Sequence, residues 1–145
     1  MRRIERIIVH CTATESRREV SVAEIDRWHK RRGWRGIGYH YVVGLDGRIW
    51  KGRDEETIGA YCVGHYATSI GVCYVGGLLA GQPADTRTPE QKTALERLIA
   101  ELLERYPGAS VHGHREFAAK ACPCFDAAAE YAGIVERAKT RRRRS

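Results

Sequence analysis

Five residues that could bind or assist a metal ion fall within thirteen positions near the end of the chain. They are His112, His114, Lys120, Cys122 and Cys124. Imidazole nitrogen and thiolate sulfur are ligands that zinc prefers in proteins. A further pair, His10-Cys11, directly follows a short apolar run. The sequence therefore predicts a zinc site. Two ligand sets are possible, one for an open catalytic site and one for a closed structural site.

The first possible ligand set combines His10, His114 and Cys122. Three protein ligands leave a fourth position for water, which is the pattern of catalytic zinc. Zinc in such a site lowers the pKa of bound water from about 15.7 to about 7 and polarises a carbonyl oxygen. Lys120 would place a positive charge beside the developing oxyanion. A phenol such as Tyr39 would donate a hydrogen bond to the same oxygen or to the water.

The second possible set is a His112-x-His114 pair with a Cys122-x-Cys124 pair, which would close a four-ligand structural site. Alternate residues of a strand face the same way, so a His-x-His pair can bind one ion. The Cys-x-Cys spacing is tighter than the gap usual in structural zinc sites, and the intervening proline stiffens it. Spacing alone leaves both sets open.

The remaining histidines and cysteines have other expected roles. His29 is expected to lie in a helix–sheet contact. His40 is expected to pack on the strand face opposite Tyr39, or to contact a residue of the site without binding the metal itself. His65 lies in a predicted loop, where it could face a substrate. Small hydrophobic side chains buried in the core are expected at Cys11, Cys62 and Cys73.

The elements that must position these residues alternate between strands and helices. The predicted strands occupy residues 7–9, 39–43, 48–50, 69–75 and a short stretch through Val111. The predicted helices run from the Ser21/Glu24 capping box to Gly33, from Thr88-Pro89-Glu90-Gln91 to Pro107, and from Phe125 to Ala138. Asp46-Gly47 predicts a hairpin turn, and residues 80–87 a polar loop. The pattern indicates one α/β domain with a mixed sheet covered by helices.

Composition and charge narrow the class of protein. A chain of 145 residues fits one domain with a sizeable core. Five scattered cysteines do not suggest a disulfide framework, which favours a reducing compartment. The charged N-terminus does not resemble a signal peptide, and no apolar run approaches the length of a membrane span. We therefore expect synthesis in the cytoplasm and no transmembrane segment.

Much of the positive charge lies at the C-terminus. The net charge is +7, and without Arg141 to Arg144 it falls to +3, from 21 basic and 18 acidic residues. We expect a disordered basic tail at residues 139–145, which could assist binding to an anionic surface.

Ordered short motifs run through residues 6–126. They are Ile8–Thr14, Trp28–Lys30, Gly33-Trp34, Gly38–Tyr41, Gly52–Glu55, Ser69–Cys73, Thr88–Gln91, His114–Glu116 and Lys120–Pro123. Their residues and order resemble the zinc-dependent N-acetylmuramoyl-L-alanine amidases of the bacteriophage T7 lysozyme type, which are relatives of the peptidoglycan recognition proteins. The fold that this resemblance implies is a central mixed β-sheet with flanking helices and a zinc cleft.

The resemblance implies a Zn²⁺ cofactor held by His10, His114 and Cys122, with Tyr39 and Lys120 as catalytic residues. The implied reaction is hydrolysis, by zinc-activated water, of the amide between N-acetylmuramic acid and the L-alanine of the stem peptide. Lys120 would stabilise the oxyanion, and Tyr39 would orient or polarise the reacting group. The amidase domain would span residues 1–138.

The implied partner is peptidoglycan or a muropeptide, bound by a monomer. A phage or prophage endolysin, which reaches the wall after the membrane is permeabilised, is favoured over a cytoplasmic amidase that recycles muropeptides. A different class of protein, a nucleic-acid-binding module with a closed structural zinc, is disfavoured because the predicted helices carry mixed charge rather than a basic stripe. We expect no specific nucleic-acid ligand.

Two positions depart from the family pattern. Tyr61 stands in a loop where the phage lysozyme has a histidine, which puts the substrate contacts of that loop in question. Cys124 stands where the family commonly has a small polar residue, and we expect its thiol to point away from the zinc. Binding-only relatives lack the cysteine ligand, so the presence of Cys122 predicts an enzyme.

Overall fold

The computed structural model describes residues 3–60 and 67–144, with side chains described as far as residue 141. The predictions for Tyr61, Cys62 and His65 therefore lie outside the described residues. The strands are β1 Arg6–Cys11, β2 Thr14–Glu15, β3 Tyr41–Val43, β4 Ile49–Lys51, β5 Ser69–Tyr74, β6 Gly77–Leu79, β7 Gln82–Pro83 and β8 Ser110–Gly113. The helices are α1 Val22–Arg31, α2 Pro89–Arg105, α3 Ala127–Glu130 and α4 Ala132–Arg144.

A mixed five-stranded sheet, in the order β4-β3-β5-β1-β8, forms the centre of the fold. β3, β5, β1 and β8 run parallel, and the edge strand β4 returns antiparallel to β3 as the predicted hairpin. Because parallel strands need crossover connections, helices alternate with them and cover the sheet. The predicted fold class, a single α/β domain with a central mixed sheet and flanking helices, is confirmed.

β1 shows how the two faces of the sheet differ. Ile7, Val9 and Cys11 pack in the large core cluster with side chains of α2 and α4. Ile8 and His10 point to the other face, as the alternation of side chains along a strand requires. On that second face, Ile25 of α1 packs on Val42 of β3. Helix α1 therefore covers the second face at β3.

The helix starts follow the predicted capping residues. The Thr88 hydroxyl accepts a hydrogen bond from the Gln91 backbone N–H, and the Gln91 side-chain oxygen accepts one from the Thr88 backbone N–H. The predicted capping box of α2 is therefore complete. The Ser21 hydroxyl accepts from the Glu24 backbone at 3.1 Å and caps α1. The Glu24 carboxylate accepts a hydrogen bond from Arg18 rather than from the Ser21 backbone N–H.

Three features of the fold differ from the sequence-based expectation. Part of the predicted polar loop forms β7, which pairs with β6 in a small second sheet, β2-β6-β7. The predicted last helix is divided into α3 and α4 at Tyr131. Residues 139–144, predicted to be a disordered tail, continue α4. Arginine and lysine favour helix and suit its C-terminal end, where the helix dipole attracts positive charge.

Within the described part of the chain, none of the helices combines the length and the apolar character needed to cross a membrane.

Candidate metal centre

Three side chains meet at one edge of the central sheet. His10 is the next-to-last residue of β1, and His114 opens a single 3₁₀ turn directly after β8. Since β1 and β8 are neighbouring parallel strands, their carboxyl ends lie at the same edge. Cys122 comes from the loop that leads to α3. The ligand atoms of His10, His114 and Cys122 all lie within 4.8 Å of one another.

The chemistry and the spacing of these donors fit zinc. Two imidazoles and one thiolate form a typical zinc ligand set, with bonds of about 2.0–2.1 Å to nitrogen and about 2.3 Å to sulfur. A tetrahedral ion with such bonds brings two nitrogens and one sulfur to about 3.3–3.6 Å from one another. The donors lie within 4.8 Å of one another, which is near this spacing. Three protein ligands leave one position open.

The surroundings favour the neutral, metal-binding forms of the two histidines. Burial lowers the pKa of His10 well below its usual value, and the charges of His114 and Lys120 lower it further. Burial and the Lys120 charge also lower the pKa of His114. Both imidazoles are therefore neutral at pH 7, as metal binding requires. The backbone N–H of Cys11 donates to the Cys122 sulfur at 3.1 Å.

The alternative four-ligand set does not assemble. His112 is engaged elsewhere, since its Nε2 lies 2.7 Å from the Ser110 hydroxyl and its Nδ1 2.8 Å from a Glu116 carboxylate oxygen. β8 ends at Gly113, so the strand rule that would align His112 with His114 no longer applies. The Cys124 thiol donates to the Gly77 carbonyl at 3.4 Å, away from the three-residue group, as expected.

Tyr39 lies beside the three donors. Its ring centroid is 5.2 Å from that of His10. Burial, and to a smaller extent the neighbouring thiol groups, raise the pKa of Tyr39 well above its ordinary value. The phenol therefore stays protonated and can donate a hydrogen bond. Tyr39 also packs on Ile8 together with Phe117, which places apolar side chains beside the centre.

Lys120 is exposed and lies close enough for its charge to lower the pKa of both histidine donors. Its ammonium group can approach the centre from the solvent side. All five residues singled out by the sequence for this site, His10, Tyr39, His114, Lys120 and Cys122, are thus neighbours in the structure.

Two further histidines are buried in the fold, and one of them, His29, contacts Tyr39 of the centre. His29 is buried, and its Nδ1 accepts from the Gly38 backbone at 2.8 Å while its ring contacts that of Tyr39 at 5.3 Å. The pKa of His29 is lowered to about 4, chiefly by burial. His40 accepts from the Gly71 backbone through Nδ1 and donates to the Thr57 carbonyl through Nε2. The sequence predicts that His29 joins a helix–sheet contact; its contacts are with Trp34, Gly38 and Tyr39, which precede β3 rather than lie in it.

Cys11 and Cys73 are buried, as predicted. Cys73 pairs in register with His10, so it lies on the same face of the sheet, beside the centre.

Comparisons with known proteins agree with this geometry. Residues 1–125 match the family described as N-acetylmuramoyl-L-alanine amidase. The endolysin of Klebsiella phage KP32 is 46% identical over 121 residues, which cover 83% of this chain and 80% of the relative. The endolysin of Escherichia phage T7 is 45% identical over 121 residues, with the same coverage of 83% and 80%.

Among solved structures, the N-acetylmuramoyl-L-alanine amidase LysC of Clostridium intestinale is similar with a TM-score of 0.77 and 29% identity. The match covers 90% of this chain and 85% of that one. Drosophila PGRP-LB has a TM-score of 0.76 at 24% identity, with 91% and 81% covered, and it supports the fold alone.

Proposed function

The chain belongs to the N-acetylmuramoyl-L-alanine amidase family, and on that premise we propose that its activity depends on zinc held by His10, His114 and Cys122. It is a peptidoglycan hydrolase of the phage endolysin type, as its similarity to the KP32 and T7 endolysins indicates. The observation that carries the zinc proposal is the convergence of three donor atoms within 4.8 Å at the end of the sheet. The scissile bond is the amide between N-acetylmuramic acid and L-alanine.

Each ligand side chain has a defined task in this proposal. When bound, zinc supplies an activated water and polarises a carbonyl oxygen. His10 and His114 offer neutral imidazole nitrogens because burial keeps their pKa values low. Cys122 offers sulfur, and the N–H of Cys11 stabilises the negative charge of its thiolate.

Lys120 and Tyr39 act on the substrate. The Lys120 ammonium group stabilises the negative oxygen that develops as the amide carbon becomes tetrahedral. The Tyr39 hydroxyl, held protonated by its raised pKa, donates a hydrogen bond that orients the carbonyl or the attacking water. The apolar side chains of Ile8 and Phe117 beside Tyr39 lower the dielectric around its ring and strengthen the hydrogen bond of its hydroxyl.

The proposed catalytic domain spans residues 1–138. Ala138 of α4 still packs in the large core cluster, so the helix is part of the fold up to this point. The basic residues that continue α4 would assist binding at the anionic cell envelope.

The substrate assay uses purified protein and isolated peptidoglycan, and follows new amino groups and new reducing sugars in parallel. We expect release of L-alanine amino termini without reducing ends, loss of this release in the presence of a zinc chelator, and its return with added zinc. Release of reducing sugars would indicate a glycosidase. Amino-group release that is insensitive to chelators would contradict the zinc proposal.

A further inference from the structure

The loop that carries Cys122 has little regular structure of its own. Two backbone hydrogen bonds close its turn, from Arg115 N to Cys122 O at 2.8 Å and from Cys124 N to Ala121 O at 2.7 Å. The residue after Cys122 is Pro123, whose ring lies against the Cα of Gly113, where an added Cβ would come within 2.8 Å of it. Contacts from outside the loop therefore add to these hydrogen bonds in holding the Cys122 segment.

Tyr74 supplies such a contact. It is the last residue of β5 and is fully buried. Its hydroxyl donates to the Pro123 carbonyl at 2.7 Å, across 49 residues of sequence. Its ring also contacts Phe125, further along the same loop, with a centroid distance of 6.1 Å.

Tyr74 is also the strand partner of Cys11. The two residues pair in register on β5 and β1. The Cys11 N–H donates to the Cys122 sulfur at 3.1 Å, and the Tyr74 hydroxyl donates to the carbonyl of the next residue, Pro123. One pair of neighbouring residues at the end of the sheet thus contacts both the sulfur and the backbone of the loop.

We propose that Tyr74 is a positioning residue for the zinc ligand Cys122, acting through its hydrogen bond to the Pro123 carbonyl. This inference rests on the proposed role of Cys122. A hydroxyl fixed by the buried end of a strand restrains the peptide between Pro123 and Cys124. Because Pro123 directly follows Cys122, this contact helps to hold the ligand sulfur in place before the metal binds. Partners that orient a ligand in this way typically change metal affinity by about 10–100-fold when they are removed.

Tyr74→Phe removes the hydroxyl and keeps the ring. Tyr131→Phe is a matched control, because Tyr131 is also fully buried and its ring contacts Phe125 at 6.0 Å, while its hydroxyl lies 3.4 Å from Arg87 rather than at the loop. For each variant we would measure the zinc dissociation constant by chelator competition, the sulfur-to-cobalt charge-transfer band of the Co²⁺-substituted protein, and the thermal midpoint without metal.

We expect Tyr74→Phe to weaken zinc binding by about 10-fold and to shift the cobalt band. Tyr131→Phe should leave both unchanged, even where the thermal midpoints of the two variants fall alike. Equal zinc affinities for Tyr74→Phe and wild type, or an equal weakening in both variants, would overturn the inference. Zinc binding that is unaffected by Cys122→Ser would instead refute the proposed ligand set itself, so the two failures are distinguishable.

Discussion

The two faces of the central sheet are built by the same strands but carry different side chains. Along β1, Ile7 and Val9 lie on the face covered by α2 and α4, and the neighbouring Ile8 and His10 lie on the other. We call the first the closed face and the second the open face. The closed face is lined by apolar residues, and the open face holds His10, Cys73 and the ring of Tyr39.

This difference places the large apolar core on the closed face, and His10 and Tyr39 on the open face. At the end of the closed face, Cys11 and Tyr74 contact the loop that carries Cys122. Burial of apolar surface on the closed face contributes about 25 cal/mol per Å² to folding. On the open face, the covering helix α1 lies over β3 and leaves the end of β1 accessible to the loops that carry His114 and Cys122. Alternation along a strand lets one segment serve both purposes, because consecutive residues never share a face.

The largest effect is expected from Cys122→Ser, which removes the only proposed sulfur ligand. Zinc affinity should fall sharply, and amidase activity should drop by on the order of 10³-fold or more, because the water is no longer activated at neutral pH. The measurement is zinc content together with release of amino groups from peptidoglycan.

Cys124→Ser is the matched control for this change, since the Cys124 thiol points to the Gly77 carbonyl and a serine hydroxyl can donate the same bond. Full activity in Cys122→Ser, or loss of zinc in Cys124→Ser, would show that the ligand is misassigned.

Ile99→Ala tests the closed face. Ile99 is fully buried in α2, and its truncation should cost about 2–5 kcal/mol of unfolding free energy. Under conditions where the variant remains folded, zinc affinity and kcat should match the wild type. Urea denaturation measures the unfolding free energy, and the peptidoglycan assay measures kcat. A kcat that falls tenfold in the folded variant would mean that the faces are not separable.

Lys120→Gln tests the electrostatic part of the open face. Lys120 is exposed, so its replacement should leave the fold intact. We expect kcat to fall by about 10²-fold, the usual effect of removing one group that stabilises an oxyanion, and zinc to remain bound. An unchanged kcat at full zinc occupancy would remove Lys120 from the mechanism.

The free energy of unfolding should also decrease in acid because of His29, which contacts Tyr39 beside the open face. The pKa of His29 is about 4 in the folded protein, below the ordinary value of 6.5, so the unfolded chain binds the proton first as pH falls. The stability contributed by neutral His29 is complete above pH 6.5 and is lost between pH 6.5 and 4. The upper limit of this loss is about 3 kcal/mol.

His29→Asn keeps an acceptor for the Gly38 N–H but does not titrate. Unfolding free energies measured at pH 7 and pH 4 should therefore differ less in this variant than in the wild type. Equal pH dependence in the two proteins would show that His29 titrates alike in the folded and unfolded states.

Local sequence signals predicted the main elements well. The capping box at Thr88, the hairpin at Asp46-Gly47 and the apolar runs of β1 and β5 each depend on neighbouring residues, which the sequence displays directly. The small second sheet could not be predicted, because strands of two or three residues are too short for a periodic pattern.

The site was harder to predict than the fold. Cys11 and Cys122 are 111 residues apart in sequence, and their contact depends on how β1 and β8 align. Spacing left two ligand sets open because it does not show that β8 ends at Gly113 and turns His114 away from His112. The family resemblance favoured the open set, and the geometry agrees with it.

X-ray absorption at the zinc edge of the loaded protein tests the central claim most directly, because it counts the sulfur atoms bound to the metal. We expect one sulfur at about 2.3 Å with imidazole nitrogens at about 2.0–2.1 Å. The sulfur signal should disappear in Cys122→Ser and remain in Cys124→Ser. Two bound sulfurs, or a signal that survives Cys122→Ser, would contradict the open three-ligand centre.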